Sequence, residues 1–229
     1  MRASAIVVAA GTGTRLGRAA PKAFVKLAGS SLLERVFRTL ATVEVVSEVV
    51  VAVPRDAQAF ARAQAEQAQL PIPVKITEGG AQRQDSVRLA LMLTSAEADL
   101  VVVHDAARPL ASSAMFSACL SVAVQSGGAL VAIPVADTLK QVENGNIIAT
   151  VARDGLWQAQ TPQAFRRELL VEAHEWALRE QITVTDDAQL FERRGLSVHL
   201  IAGSPLNLKI TTPDDLAIAN ALVRSVSPG

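Results

Sequence analysis

The sequence predicts an α/β fold, a three-layer α/β/α sandwich around a mostly parallel sheet. Three observations lead there. Short β-branched runs alternate with longer stretches of helical periodicity through most of the 229 residues. The runs are almost continuously apolar, as strands covered on both faces must be. A glycine-rich loop follows the first run directly, at the strand end where open α/β sheets bind ligands.

Residues 5–10, 48–53, 73–77, 99–104 and 129–133 read as strands, and 196–202 as a late one. Helical patterns fill 31–42, 56–68, 83–95 and 112–126, then 166–180, 186–194 and 214–225. Alternation of this kind argues for crossover helices on both faces of one sheet. Pro213 opens the last helix, and Asp214 and Asp215 place negative charge at the positive end of its dipole. Residues 137–160 break the rhythm. There Asn144-Gly145 separates two strand-like runs, and both residues tolerate positive φ, which signals a β-hairpin. Inserted after the fifth strand, that hairpin projects from the sandwich. An isolated hairpin is barely stable in water, so it needs a surface to pack on, such as a second subunit.

Composition narrows the function. Half of the residues are hydrophobic, enough for a substantial core. Lys plus Arg and Asp plus Glu balance at 22 each, so no broad electrostatic footprint for nucleic acid is expected. Cys119 is the one cysteine, which excludes an intrachain disulfide and a cysteine metal cluster and favours a reducing, cytoplasmic compartment. The apolar start resembles a short signal peptide but runs into the glycine loop, so a buried strand explains it better. No apolar run approaches the roughly 20 residues that span a bilayer.

The first loop reads Ala9-Ala10-Gly11-Thr12-Gly13-Thr14-Arg15-Leu16-Gly17, then Pro21-Lys22. Glycines let backbone N–H groups converge on a phosphate, and Arg15 and Lys22 supply charge where a polyphosphate would lie. It is not a dinucleotide fingerprint, because Leu16 stands where the third glycine is needed. Nor is it a P-loop, which ends in Gly-Lys-Ser/Thr. A tight turn with incidental glycines is the competing reading. The Gly79-Gly80-Ala81-Gln82-Arg83-Gln84-Asp85-Ser86 stretch opens a helix and should face the same crevice, unless it is merely a turn with a cap.

His104-Asp105-Ala106-Ala107-Arg108 closes the fourth strand. Asp105 could bind a metal or a sugar hydroxyl, or pair with an arginine. His104, beside an apolar strand, suits a satisfied core histidine better than a base. Lys209 interrupts an apolar run read as a strand, and a lysine is rarely buried without a partner, so a pocket role is expected. Arg153, Thr161-Pro162-Gln163 and Thr185-Asp186-Asp187 complete the polar set, with Thr185 alternatively a helix cap and 185–187 a helix start.

In this order, these motifs resemble the 2-C-methyl-D-erythritol 4-phosphate cytidylyltransferase family of the non-mevalonate isoprenoid pathway. The resemblance covers nearly the whole chain and includes Asp137-Thr138, Asp154-Gly155-Leu156-Trp157 and Asn207-Leu208-Lys209-Ile210-Thr211. It implies one Rossmann-like, glycosyltransferase-A-like cytidylyltransferase domain over residues 1–229. It implies a homodimer whose arm, at about 137–160, reaches the neighbour's site. Arg15, Lys22, Arg153 and Lys209 would be catalytic. Ala9, Ala10, Gly11, Gly13, Gly80, Arg83 and Ser86 would bind the nucleotide. Asp105, Ala106, Arg108, Thr138, Thr161 and Thr185 would bind the acceptor. Mg²⁺ would be held mainly by CTP phosphates, with Asp105 as the candidate protein ligand. Ala81-Gln82 departs from the more acidic residues often seen in the family. The family's fused form carries a second enzyme, for which this chain is too short.

The implied reaction moves a cytidylyl group from CTP to 2-C-methyl-D-erythritol 4-phosphate. An acceptor that is itself a phosphate is already ionised near neutral pH, so no general base is required. The difficulty is repulsion between two anions, which calls for charge neutralisation and in-line positioning. Ribitol 5-phosphate is an alternative acceptor with the same chemistry. A nicotinamide oxidoreductase and a non-catalytic nucleotide sensor are more distant readings; the misplaced glycine speaks against the first and the retained cations against the second.

Overall fold

A computed structural model of the chain describes residues 1–11 and 21–226. Its centre is a seven-stranded sheet. The strands are β1 (Ala3–Val8), β4 (Val46–Val53), β5 (Val74–Glu78), β6 (Leu100–Asp105), β7 (Gly128–Pro134), β10 (Trp157–Arg166) and β11 (His199–Ala202). They lie in the order β11-β7-β10-β6-β1-β4-β5. Two short strands, β2 (Lys26–Leu27) and β3 (Ser30–Ser31), pair separately. The pairs β11–β7, β6–β1, β1–β4 and β4–β5 are parallel. β10 runs antiparallel to both β6 and β7.

The helices are α1 (Leu32–Ala41), α2 (Gln58–Ala68), α3 (Arg83–Leu91), α4 (Ser113–Ser126), α5 (Arg167–Arg179), α6 (Ala188–Arg193) and α7 (Pro213–Val226). Strand side chains alternate between faces, and the core divides accordingly. Ala5, Val7, Val49, Val51 and Val102 join Phe37 of α1, Ala61 of α2 and Phe116 of α4 in one layer. Ile6, Val50, Ala52 and Val103 join Val87 of α3, Leu170 of α5 and Phe191 of α6 in the other. This is the three-layer sandwich expected. α7 packs Leu216 and Ala219 against Val25, Leu27, Leu32 and Ile210 beside it. Its start is a capping box: Asp215 N donates to Thr212 Oγ1 and Thr212 N to Asp215 Oδ2. Among the described residues no helix is long and apolar enough to cross a membrane.

The hairpin forms at the turn expected, with φ of 47° at Asn144 and 80° at Gly145. Its strands are β8 (Leu139–Glu143) and β9 (Asn146–Val151), which pair only with each other. The expected extent of 137–160 is too long. Residues 157–160 open β10, whose inner half is buried between β6 and β7. The sequence reading missed β10 because its polar stretch Gln158–Gln163 hides the strand pattern. Two smaller corrections concern α3, which ends at Leu91 and not 95, and Lys209, which lies in no strand. The 207–211 segment is irregular; Ile210 N donates to Ala107 O and Asn207 N to Ser204 O in place of a ladder.

The chain passes from β1 to β4 and β5 on one side, then returns to place β6 on β1's other side. That reversal opens a crevice beyond the carboxyl ends of β1 and β6.

Candidate active site

Two adjoining cavities occupy this crevice. The first, of about 240 Å³, is lined by Val8 to Gly11 after β1, Lys22 and Ala23, Gly80 to Arg83 and Ser86 at the start of α3, Asp105 to Ala107 after β6, and Lys209. The second, of about 190 Å³, is lined by Arg108, Ala159 to Thr161 and Gln163 of β10, Thr185 and Asp186, and again by Arg83, Asp105 and Lys209. Those last three form the wall the cavities share.

The loop that opens α3 is shaped by close approach. A Cβ on Gly79 would lie 2.3 Å from the Cβ of Ala10, and one on Gly80 would lie 2.2 Å from the Cβ of Asp85. Only hydrogen fits at either position. Ser86 Oγ accepts from Gly80 N at 3.1 Å and donates to Gln82 O at 3.1 Å, and Asp85 Oδ2 accepts from Gln82 N at 3.1 Å. The loop is thus pinned to the helix it starts, with its backbone facing the Ala9–Gly11 loop.

The shared wall is ionic. Asp105 Oδ1 accepts from Arg83 Nε at 3.1 Å, and Asp105 Oδ2 lies 2.7 Å from Lys209 Nζ. Burial opposes ionisation of Asp105, but Arg83 and Lys209 outweigh it and hold the carboxyl well below the usual carboxylate range. Burial likewise opposes the charge on Arg83, and Asp187 and Asp105 more than restore it. Lys209 is 44% exposed, so its ammonium meets the cavities while still paired.

Behind the wall, a chain of hydrogen bonds sets the end of β6. Asp105 N donates to Thr161 Oγ1 at 3.0 Å. Thr161 Oγ1 lies 3.0 Å from His104 Nδ1, and His104 Nε2 lies 3.1 Å from Arg108 O. A carbonyl only accepts, so Nε2 carries the proton and Nδ1 accepts from the threonine. Burial pushes His104 down to about 4. It is therefore the neutral, satisfied core histidine that the sequence suggested. Arg108 NH1 donates to Asn207 O, and Asn207 Nδ2 donates to Gln160 Oε1 and Thr161 O. These bonds tie the segment bearing Lys209 to β6 and β10.

The first cavity brings together Ala9, Ala10, Gly11, Lys22, Gly80, Arg83, Ser86, Asp105, Ala106 and Lys209. The second adds Arg108, Thr161 and Thr185. Thr138 and Arg153 line neither. They sit exposed at the base of the hairpin, where Arg153 NH1 donates to Ala136 O. Gly13 and Arg15 lie outside the described residues. Thr185 does not cap α6; Asp186 Oδ1 does, accepting from Gln189 N at 3.1 Å. Gln160 and His174 were missed as site residues, and Asp186 and Asp187 were named in the polar set without a role beyond a helix start. A glutamine in a strand and a histidine in a helix carry no local signal, and two acids before a helix signal only its start; the fold gathers them.

Among the described residues no cluster of three or more His, Cys, Asp or Glu could hold a metal ion. Each Asp105 oxygen already takes one cationic partner but keeps a second lone pair, so the site can offer one carboxylate to a magnesium ion otherwise coordinated by phosphate and water.

A family model described as IspD, 2-C-methyl-D-erythritol 4-phosphate cytidylyltransferase, matches residues 3–225. A curated protein of that name from Deinococcus radiodurans is 46% identical over 228 residues, covering 100% of this chain and 92% of the relative. One from Pelotomaculum thermopropionicum is 38% identical, covering 98% of this chain and 95% of the relative. The crystal structure of 2-C-methyl-D-erythritol 4-phosphate cytidylyltransferase from Thermus thermophilus superposes with a TM-score of 0.82 at 37% identity, covering 98% of this chain and 100% of that one. With the family model spanning nearly every residue and relatives this similar over their full length, the chain belongs to the 2-C-methyl-D-erythritol 4-phosphate cytidylyltransferase family.

Proposed function

We propose that this chain transfers the cytidylyl group of CTP to 2-C-methyl-D-erythritol 4-phosphate, yielding 4-diphosphocytidyl-2-C-methyl-D-erythritol and pyrophosphate for isoprenoid synthesis. The observation that carries this reading is the pair of adjoining cavities with one ionic wall between them. A two-substrate transfer needs two compartments that meet at the reacting atom. Here they meet at Lys209, Asp105 and Arg83.

An oxygen of the acceptor phosphate attacks the α-phosphorus of CTP. That bond forms as the bond from the α-phosphorus to the bridging oxygen of the leaving pyrophosphate breaks. No proton has to move, which fits His104 being buried and neutral with both ring nitrogens engaged. Catalysis then consists of positioning and charge neutralisation. Lys22 and Lys209, both in the lining of the first cavity, supply positive charge, and Arg15 is a further cation of the scheme. Gly80, Ser86 and the Ala9–Ala10 backbone receive the nucleoside. Arg108, Thr161 and Thr185 receive the acceptor. Mg²⁺, held by CTP phosphates with Asp105 as the candidate protein ligand, would neutralise the triphosphate.

Thr138 and Arg153 enter this scheme through a homodimer. The hairpin that carries them is exposed along its length, with Ile147 at 65% and Val142 at 53%. Apolar side chains on a projecting hairpin call for a partner surface, and a second copy supplies one, bringing Arg153 to the neighbouring acceptor pocket. The protein works in the cytoplasm, in keeping with a single, buried Cys119.

The relatives are named for the methylerythritol acceptor, which weighs against ribitol 5-phosphate. Pyrophosphate release measured with CTP and each acceptor in turn, then with ATP, GTP and UTP, tests the assignment. Release dependent on CTP and methylerythritol phosphate is expected; no release with that pair refutes it.

A further inference from the structure

The cation that holds Asp105 is itself held by residues outside both cavities. Arg83 NH1 donates to Asp187 Oδ2 at 2.7 Å, and Asp187 Oδ1 lies 3.1 Å from His174 Nε2. Asp187 and His174 are each only 1% exposed. Neither lines either cavity. The series therefore runs His174, Asp187, Arg83, Asp105, Lys209, from helix α5 through the start of α6 and of α3 to the wall between the substrates.

Two features argue that this is more than a buried ion pair filling space. Asp187 stands at the N-cap position of α6, yet its side chain makes no capping bond, and the cap falls to Asp186. Its carboxylate is given wholly to Arg83 and His174. Arg83 in turn divides its guanidinium, NH1 to Asp187 and Nε to Asp105, and its NH2 is buried without a partner. A guanidinium fixed at two points by two carboxylates cannot swing toward an incoming phosphate. It fixes the position of Asp105, which then fixes Lys209. A planar fork clamped this way is rigid in a manner that a lysine could not match.

We infer that Asp187, braced by His174, is a positioning residue for cytidylyl transfer, acting through Arg83 to set the Asp105–Lys209 pair that faces the acceptor. The inference deepens the proposed reaction and rests on it. Without a carboxylate at 187, the Arg83 charge is balanced by Asp105 alone. Asp105 is drawn toward Arg83 and away from Lys209, and Lys209 loses its fixed place. The bonds that pin the nucleotide-side loop, Gly80 N to Ser86 Oγ, Ser86 Oγ to Gln82 O and Gln82 N to Asp85 Oδ2, are made without Asp187, so the larger effect should fall on the acceptor.

The test is steady-state pyrophosphate release by the full chain with CTP and methylerythritol phosphate, varying each in turn. Asp187→Asn should raise the acceptor KM at least about fivefold and lower kcat, while the CTP KM stays within about twofold. A general loss of structure would move both KM values together. Because Asp187→Asn leaves a buried arginine short of a partner and can fail to fold, His174→Leu is the second variant. It removes the brace and keeps the carboxylate, and a rise of about two- to threefold confined to the acceptor KM is expected. A double-mutant cycle of either folded variant with Lys209→Gln should be non-additive, since that change already uncouples Asp105. Equal shifts in both KM values, no shift in either, or additive effects in the cycle overturn the inference. An inactive wild-type chain instead overturns the reaction on which it rests.

Discussion

Replacing Lys209 by alanine tests the electrostatic argument most directly. Its ammonium lies 2.7 Å from Asp105 Oδ2 and faces both cavities. Two unit charges about 4 Å apart interact by about 4 kcal/mol at an effective dielectric near 20. Lys209 is 44% exposed, so solvent screening reduces its attraction for a reacting phosphate to about 2 kcal/mol. The substitution also uncovers one oxygen of Asp105, adding a repulsion of about 1–2 kcal/mol against the same phosphate. Together these remove about 3–4 kcal/mol of transition-state stabilisation, a fall of about 10²- to 10³-fold in kcat/KM. Lys209→Arg keeps the charge but not the compact ammonium, and should retain more activity than alanine. The assay is the initial rate of pyrophosphate release at varied acceptor and saturating CTP, with circular dichroism to show that the variant folds. A folded Lys209→Ala chain within about tenfold of wild type would refute the reasoning, because the repulsion between the substrates would then be overcome without the Lys209 charge.

Gly79→Ala places a Cβ 2.3 Å from that of Ala10 and 3.0 Å from Ser86 Oγ. Carbons rest about 3.5–4.0 Å apart, so the two loops must part by more than about 1 Å, enough to raise the CTP KM at least about tenfold. The acceptor KM should move less, and titration of CTP binding by calorimetry checks this independently of turnover. Glu48→Gln probes the fold. Glu48 is buried; its Oε1 accepts from Ser4 Oγ at 2.6 Å and Ser95 N at 2.5 Å, and its Oε2 lies 2.7 Å from Lys75 Nζ. Burial works against its ionisation, but Lys75, Ser4 and Ser95 outweigh it and lower the carboxyl below its ordinary 4.5. A carboxylate lowered on folding stabilises the protein above its unfolded pKa, and that contribution disappears as pH falls through the folded one. Thermal melts at pH 7 should show a loss of about 2 kcal/mol, or about 4–8 °C in Tm, with the gap to wild type narrowing below about pH 4. A gap unchanged down to the acid end of the folded range would contradict the charge assignment.

The sandwich was legible because its evidence is local. Apolar runs such as Val49–Val53 and Val101–Val103 must be buried on both faces, and alternating patterns between them must supply the helices. The Asn144-Gly145 turn was legible because its backbone angles restrict which residues can stand there. The strand β10 was not, since Gln160, Thr161 and Gln163 look like loop residues until β6 and β7 surround them and their side chains find partners in Asp105, Asn207 and Asp186. Its antiparallel direction and its place in the middle of the sheet depend on pairing between residues 23 to 66 positions apart, from Trp157–Pro134 to Arg166–Leu100.

For the site, sequence alone determined which chemical groups were on offer: glycine loops after strands, Lys22 near the first of them, and Asp105 and Lys209 where neither an acid nor a lysine is at ease without a partner. Tertiary structure alone decided that Asp105 meets Arg83 and Lys209, that His174 and Asp187 stand behind them, and that two cavities share that wall. The reason is that a propensity acts over a few residues, whereas the energy of a charge depends on what lies within a few ångströms of it, and residues 83, 105, 187 and 209 become neighbours only when the sheet and its helices have formed.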